Sequence, residues 1–149
     1  MQLKIVLEGN PILREPCEAV KKVTPELVKL ASDMCQTMIL ANGIGLSAPQ
    51  VGRKVQLLVY DTSLVEKNGS TAIMFNPEIL HGENACDSIE GCLSLPGKEI
   101  KVERFKKIKV KYLNIYNEIV IRELNGLSAV VVQHEIDHLH GIILSDYEE

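Results

Sequence analysis

The stretch Asn125-Gly126-Leu127-Ser128-Ala129-Val130-Val131-Val132-Gln133-His134-Glu135-Ile136-Asp137-His138-Leu139-His140-Gly141 decides how the rest of the chain is read. Asn125-Gly126 breaks a preceding strand pattern. Leu127, Val130, Val131, His134 and His138 then fall at helical spacing, and Gly141 closes the helix. His134 and His138, at i and i+4, lie on one helical face and can share a metal, while Glu135 sits one position round the helix, within reach of a proton on a bound water. The plainer alternative has both histidines satisfied in a core and Glu135 in solvent.

Upstream, Thr24-Pro25-Glu26 is an N-cap with proline at the first helical position. The apolar stripe Leu27, Leu30, Ala31, Met34, Met38, Ile39 and the stop Asn42-Gly43 complete a first helix. Between the helices lie strand-like runs at Val55–Asp61, Thr71–Phe75, Ile100–Val102, Ile108–Tyr112 and Glu118–Leu124. From Lys107 to Tyr112 lysines alternate with Ile108, Val110 and Tyr112, the period of a half-buried antiparallel strand, and Asn114–Asn117 is its turn. The expectation is one α+β domain over residues 1–149, with mainly antiparallel sheets packed around a central helix that carries the H-E-x-x-H-type motif.

The 149 residues hold 16 Lys+Arg against 20 Asp+Glu, a net charge of -4, so the overall field does not attract phosphate backbones. At 4% aromatic, with no Trp, the chain has few platforms for stacking bases. No apolar run reaches the 18 or more residues of a membrane span, and the opening residues lack a signal peptide's h-region. These features predict a cytoplasmic protein that binds neither specific nucleic acid nor membrane. The lysine run at 101–111 reads as a solvated strand face or, alternatively, as an RNA or ribosome contact.

A catalytic metal wants three protein ligands and an open position. Cys92, in Glu90-Gly91-Cys92-Leu93-Ser94-Leu95-Pro96, is the best third ligand: a thiolate is soft, and Gly91 permits close backbone approach. Cys17, in an N-terminal loop, and Cys35, at helical spacing, read as packing residues. Cys86 is open; joined to Cys92, His134 and His138 it would make a closed structural zinc and a non-catalytic module. Gly43-Ile44-Gly45-Leu46-Ser47-Ala48-Pro49-Gln50 offers a turn through which backbone can approach a ligand, with a Gln amide able to donate to an oxyanion. Alternatively, Gly43 simply ends the first helix.

Together these three segments, in this order, resemble the signature motifs of the peptide deformylase family. The resemblance covers nearly the whole chain; Ser47 stands where the family usually has alanine. It implies a hydrolase that removes the formyl group from the formyl-methionyl end of newly made polypeptides and releases formate. It further implies one divalent ion, Fe2+ in the cell with Zn2+, Ni2+ or Co2+ as substitutes, held by Cys92, His134 and His138. Glu135 would be the general acid/base, with Gln50 and the Leu93 backbone N–H facing the oxyanion. Gly45 would meet the peptide backbone, Ile44, Leu127, Val130 and Val131 would line a methionine pocket, and Glu90, Gly91 and Arg104 would also belong to the substrate-binding residues, Arg104 bracing Glu90. A monomer with at most transient ribosome contact is expected. The rival reading, a zinc endopeptidase, shares the histidine motif but needs a downstream ligand. After His138 only His140, Asp146, Glu148 and Glu149 are available, and His140 points elsewhere round the helix.

Overall fold

The computed structural model describes residues 1–63 and 70–148; Glu149 lies outside them. The first helix, α1, runs Pro25–Leu40, with Thr24 Oγ1 accepting the Leu27 N–H at 3.3 Å. It ends differently from the expected glycine stop. Asn42 takes the left-handed conformation, φ +58°, and the Gly43 N–H bonds back to Met38 O at 2.9 Å. Asn tolerates that conformation by bonding locally, so Gly43 is left for another purpose, described below.

Five strands follow: β1 (Gly45–Ser47), β2 (Leu57–Asp61), β3 (Thr71–Cys92), β4 (Leu95–Leu113) and β5 (Ile119–Asn125). They form one sheet in chain order, every neighbouring pair antiparallel. The runs Thr71–Phe75, Ile100–Val102 and Ile108–Tyr112 prove to be parts of two much longer strands. β3 and β4 make a bulged hairpin that closes where Cys92 faces Leu95. The Asn114–Asn117 turn is present: Asn114 N–H bonds Glu118 O at 3.0 Å, and Asn117 takes φ +61°.

The second helix, α2 (Leu127–Leu139), packs on one face of the sheet and α1 on the other. β2 serves both. Leu58 and Tyr60 join Met74, Ile108, Val110, Val132, Ile136 and Leu139 on the α2 side, while Leu57 and Val59 join Met34, Met38 and Phe75 on the α1 side. A strand covered on both faces must be a continuous apolar run, which is why Leu57–Tyr60 has no polar alternation. Cys17 and Cys35 are buried, one in each of these cores.

α2 is tied to the hairpin by Gln133. β5 ends opposite Lys107, leaving the main chain of β4 at Phe105 without a strand neighbour on that side. The Gln133 amide fills the gap, accepting the Phe105 N–H at 2.9 Å and donating to Phe105 O at 2.8 Å. A buried main chain requires such a partner, and meeting the requirement from α2 fixes the height of the helix against β4. The residues that follow Gln133 are thereby carried to the closed end of the hairpin.

Candidate metal centre and active site

Cys92, from the end of β3, meets His134 and His138 on α2. Among the described residues they form a group whose ligand atoms all lie within 4.8 Å of one another. Cys92 Sγ is 3.4 Å from His138 Nε2. A tetrahedral ion with bonds of roughly 2.3 Å to sulfur and 2.1 Å to nitrogen sets those two atoms about 3.6 Å apart, so the donor set fits a divalent cation. Cys86 and the exposed His140 are not in the group. Three protein donors leave a position open.

The two imidazoles have opposite electrostatics. Burial pushes His138 down to about 3, helped by the charges of His134 and Arg104, so it is neutral and presents a lone pair. Burial also opposes charge on His134, but Glu135, Cys92 and Glu90 outweigh it and hold His134 well above its ordinary value. The negative surroundings that favour a proton there favour a metal cation equally. His134 Nδ1 lies 2.9 Å from Glu90 Oε1, which leaves Nε2 for the ion.

Behind His134 stands a buried charge network. Arg104 donates from Nε to Glu90 Oε2 at 3.0 Å and from Nη2 to Glu90 Oε1 at 2.8 Å, a two-pronged grip, and from Nη1 to Asp137 Oδ2 at 2.7 Å. Burial would raise Glu90, but its bonds to His134 and Arg104 bring the carboxyl down to about 2. Tyr147, on a 3₁₀ turn at Leu144–Tyr147, completes the group by donating to Asp137 Oδ2 at 2.6 Å.

Glu135 is 4% exposed and, among the described residues, its Oε1 has no hydrogen-bond partner. Burial pushes its carboxyl up to about 7, with His134 opposing the shift and Glu90 adding to it. A carboxyl poised there exchanges a proton near neutral pH. Gln50, 1% exposed, is held at both ends: Oε1 accepts the Ser47 N–H and hydroxyl, each at 3.0 Å, and Nε2 donates to Ser94 Oγ at 3.0 Å and approaches Cys92 Sγ at 3.5 Å. Ser94 spends its own proton on Val6 O, so it must accept from Gln50, and the amide nitrogen is thereby set on the metal side.

These groups open on a cavity of about 500 Å³ lined by Ile44, Gly45, Gln50, Glu90, Gly91, Cys92, Leu93, Leu127, Val130, Val131, His134 and Glu135, among others. The glycines have distinct reasons. A Cβ on Gly45 would stand 2.6 Å from Glu135 Oε2 and 2.8 Å from Val131 Cγ1; one on Gly43 would stand 2.6 Å from Leu93 Cδ1. Gly91, by contrast, has only Lys98 O near, at 3.7 Å, so the protein's own packing does not demand glycine there. Arg104 is enclosed beneath the site and does not line the cavity.

Sequence reading assigned no role to Gln133, Ser94, Asp137 or Tyr147. Gln133, Ser94 and Asp137 stand inside the quoted motifs, and that adjacency was their only signal; Tyr147 had none. Of the lysine run, Lys101 pairs with Asp87 and Lys107 with Glu123, while Lys109 faces His81 and Glu123 across the sheet, giving a face of mixed charge.

A family model described as Polypeptide deformylase matches residues 2–148. The chain is 43% identical over 142 residues to the peptide deformylase of Carboxydothermus hydrogenoformans, covering 94% of this chain and 89% of that protein. The crystal structure of peptide deformylase from Thermotoga maritima superposes with a TM-score of 0.92 at 37% identity, covering 100% and 99% of the two chains. The class I type b peptide deformylase of Acinetobacter baumannii, in a crystal structure with Met-Ala-Ser bound, gives 0.89 at 33% identity, covering 99% and 98%. Since the model spans all but one residue at either end and the relatives match along nearly their full length, the chain belongs to the polypeptide deformylase family.

Proposed function

We propose that this chain hydrolyses the N-formyl amide of formyl-methionyl peptides, releasing formate and a free amino terminus. The observation that carries the reading is the buried Glu135 carboxyl, without a hydrogen-bond partner at Oε1 among the described residues, beside a Cys-His-His donor set at a largely apolar cavity. The peptide seen in the Acinetobacter baumannii relative begins with methionine, in keeping with the product of such a reaction.

Cys92, His134 and His138 would hold one divalent ion, Fe2+ in the cell with Zn2+, Ni2+ or Co2+ able to replace it. When bound, that ion supplies Lewis acidity toward water and a carbonyl oxygen. Glu135 takes a proton from the water that attacks the formyl carbon, and returns it to the amine nitrogen as the C–N bond breaks. Gln50 Nε2 and the Leu93 N–H donate to the formyl oxygen as it gains negative charge. Ile44, Leu127, Val130 and Val131 receive the methionine side chain, and Gly45 and Gly91 let the peptide main chain lie close. Glu90, braced by Arg104, orients His134. The protein works as a cytoplasmic monomer on nascent chains and meets the ribosome at most transiently; among the described residues no helix is long and apolar enough to cross a membrane.

The test is formate release from formyl-Met-Ala-Ser by protein purified without oxygen. Wild type should release formate and leave internal peptide bonds intact. Glu135→Gln should keep its metal while kcat falls about 10²–10⁴-fold, the usual worth of a positioned acid/base. Internal cleavage by wild type, or near-normal turnover by the variant, would overturn the reading.

A further inference from the structure

We propose that Tyr147 is a positioning residue for the metal centre: its hydroxyl holds Asp137 and Arg104 in the arrangement that keeps Glu90 on His134 Nδ1. The route is continuous in hydrogen bonds. Tyr147 Oη donates to Asp137 Oδ2 at 2.6 Å, and the same oxygen accepts Arg104 Nη1 at 2.7 Å. The opposite side of the guanidinium grips both oxygens of Glu90, and Glu90 Oε1 divides its lone pairs between Arg104 Nη2 at 2.8 Å and His134 Nδ1 at 2.9 Å. A guanidinium is planar and rigid, so a turn of its plane at Asp137 is transmitted to Glu90 and thence to the tilt of the His134 ring.

Tyr147 acts on that plane twice. Beyond its bond to Asp137, its ring lies 5.2 Å from Arg104 Cζ, a cation–π contact. Arg104 and Glu90 are 6% and 7% exposed, whereas the Asp137 side chain is 20% exposed. Asp137 is therefore the more water-accessible of the two carboxylates in the network. Water can compete for its oxygen, and the tyrosine hydroxyl, together with Arg104 Nη1, gives that oxygen a fixed direction. The 3₁₀ turn bearing Tyr147 has a separate anchor, the exposed ion pair of Arg14 and Asp146 at 2.7 Å, so docking of the turn and the effect of the hydroxyl can be separated by mutation.

The inference rests on reading Cys92, His134 and His138 as a metal centre, but not on the formylated substrate. The experiment measures Co2+ affinity by competition with a chromogenic chelator, together with the visible spectrum of the Co2+ form, for wild type, Tyr147→Phe and Arg14→Ala. Tyr147→Phe keeps the ring over Arg104 and removes only the hydroxyl. It should weaken Co2+ binding about 3–10-fold, somewhat less than loss of a direct partner of a ligating histidine, and shift the ligand-field bands. Arg14→Ala should leave both unchanged. The proposal is overturned if Tyr147→Phe matches wild type in affinity and spectrum, or if Arg14→Ala loses as much. Wild type that binds Co2+ yet releases no formate would sink the proposed function alone; wild type that binds no Co2+ would sink both.

Discussion

At the scale of single residues, the site is built as much by missing atoms as by reactive ones. Gly45 has no unusual main-chain angle to satisfy; what it supplies is room, since the space a Cβ would fill is occupied by Glu135 Oε2 and Val131 Cγ1. Gly45→Ala would therefore displace the carboxylate by several tenths of an ångström without touching a metal ligand. The expected result is a kcat at least about tenfold lower, because small misplacements of a reacting group are costly, with metal content unchanged. Formate-release kinetics alongside metal analysis check this; a fall in KM-dependent binding alone would contradict it. Ser47 adds a hydroxyl to the seat of Gln50 that alanine could not provide.

At the scale of elements, two asparagines clamp the segment before α1. Asn76, at a β3 bulge with φ +50°, accepts the Val20 N–H and donates to Val20 O, both at 2.7 Å; Asn117 does the same for Val23 at 2.7 and 3.1 Å. Asn76→Ala loses two hydrogen bonds and forces a Cβ-bearing residue without local bonding into a left-handed angle, a cost of about 2–4 kcal/mol. Asn76→Gly relieves the angle but not the lost bonds and should cost less. Urea denaturation separates the two, and equal stability of the variants would refute the role of the angle.

Signals that act over a few residues are the part of the fold legible in the sequence. α1 and α2 could be read because caps, prolines and apolar spacing act over a few residues, and the short buried strand β2 because both of its faces are covered. The 22-residue β3 could not. From Leu80 to Ile89 every residue is exposed or half-buried, so alternation carries no signal, and the pairing with β4 is interrupted by register shifts. In the candidate site, the donors announced themselves by residue type and spacing. Ser94, Asp137 and Tyr147 did not, because their contacts are made in three dimensions by common polar residues.

For the whole molecule, the buried ionisable groups set how it responds to acid. His138 at about 3 and Glu90 at about 2 both lie below their ordinary 6.5 and 4.5, so the unfolded chain binds more protons than the folded one as pH falls. Glu135, raised to about 7, has the opposite sign, but its contribution changes only between about pH 4.5 and 7. Below pH 4.5 stability must therefore drop with acid. Glu90 supplies about 2 kcal/mol of the loss between pH 6 and pH 3, the contribution being whole above 4.5 and vanishing toward 2. Denaturation of metal-free protein at the two pH values should show Glu90→Gln losing that much less than wild type; identical losses would place Glu90 outside the response.

The donors of the metal centre are close in space but distant along the chain. Cys92 closes a long hairpin and His138 ends the helix packed against it, 46 residues apart in sequence. A cation on both works as a reversible cross-link around a loop of that length, joining the hairpin tip to the last turn of α2 in one mechanical unit and favouring the folded chain in proportion to its occupancy. A bound ion would thus add to the ties that Gln133 and Arg104 already make between α2 and the hairpin, so that metal supply bears on the stability of the folded chain as well as on its chemistry.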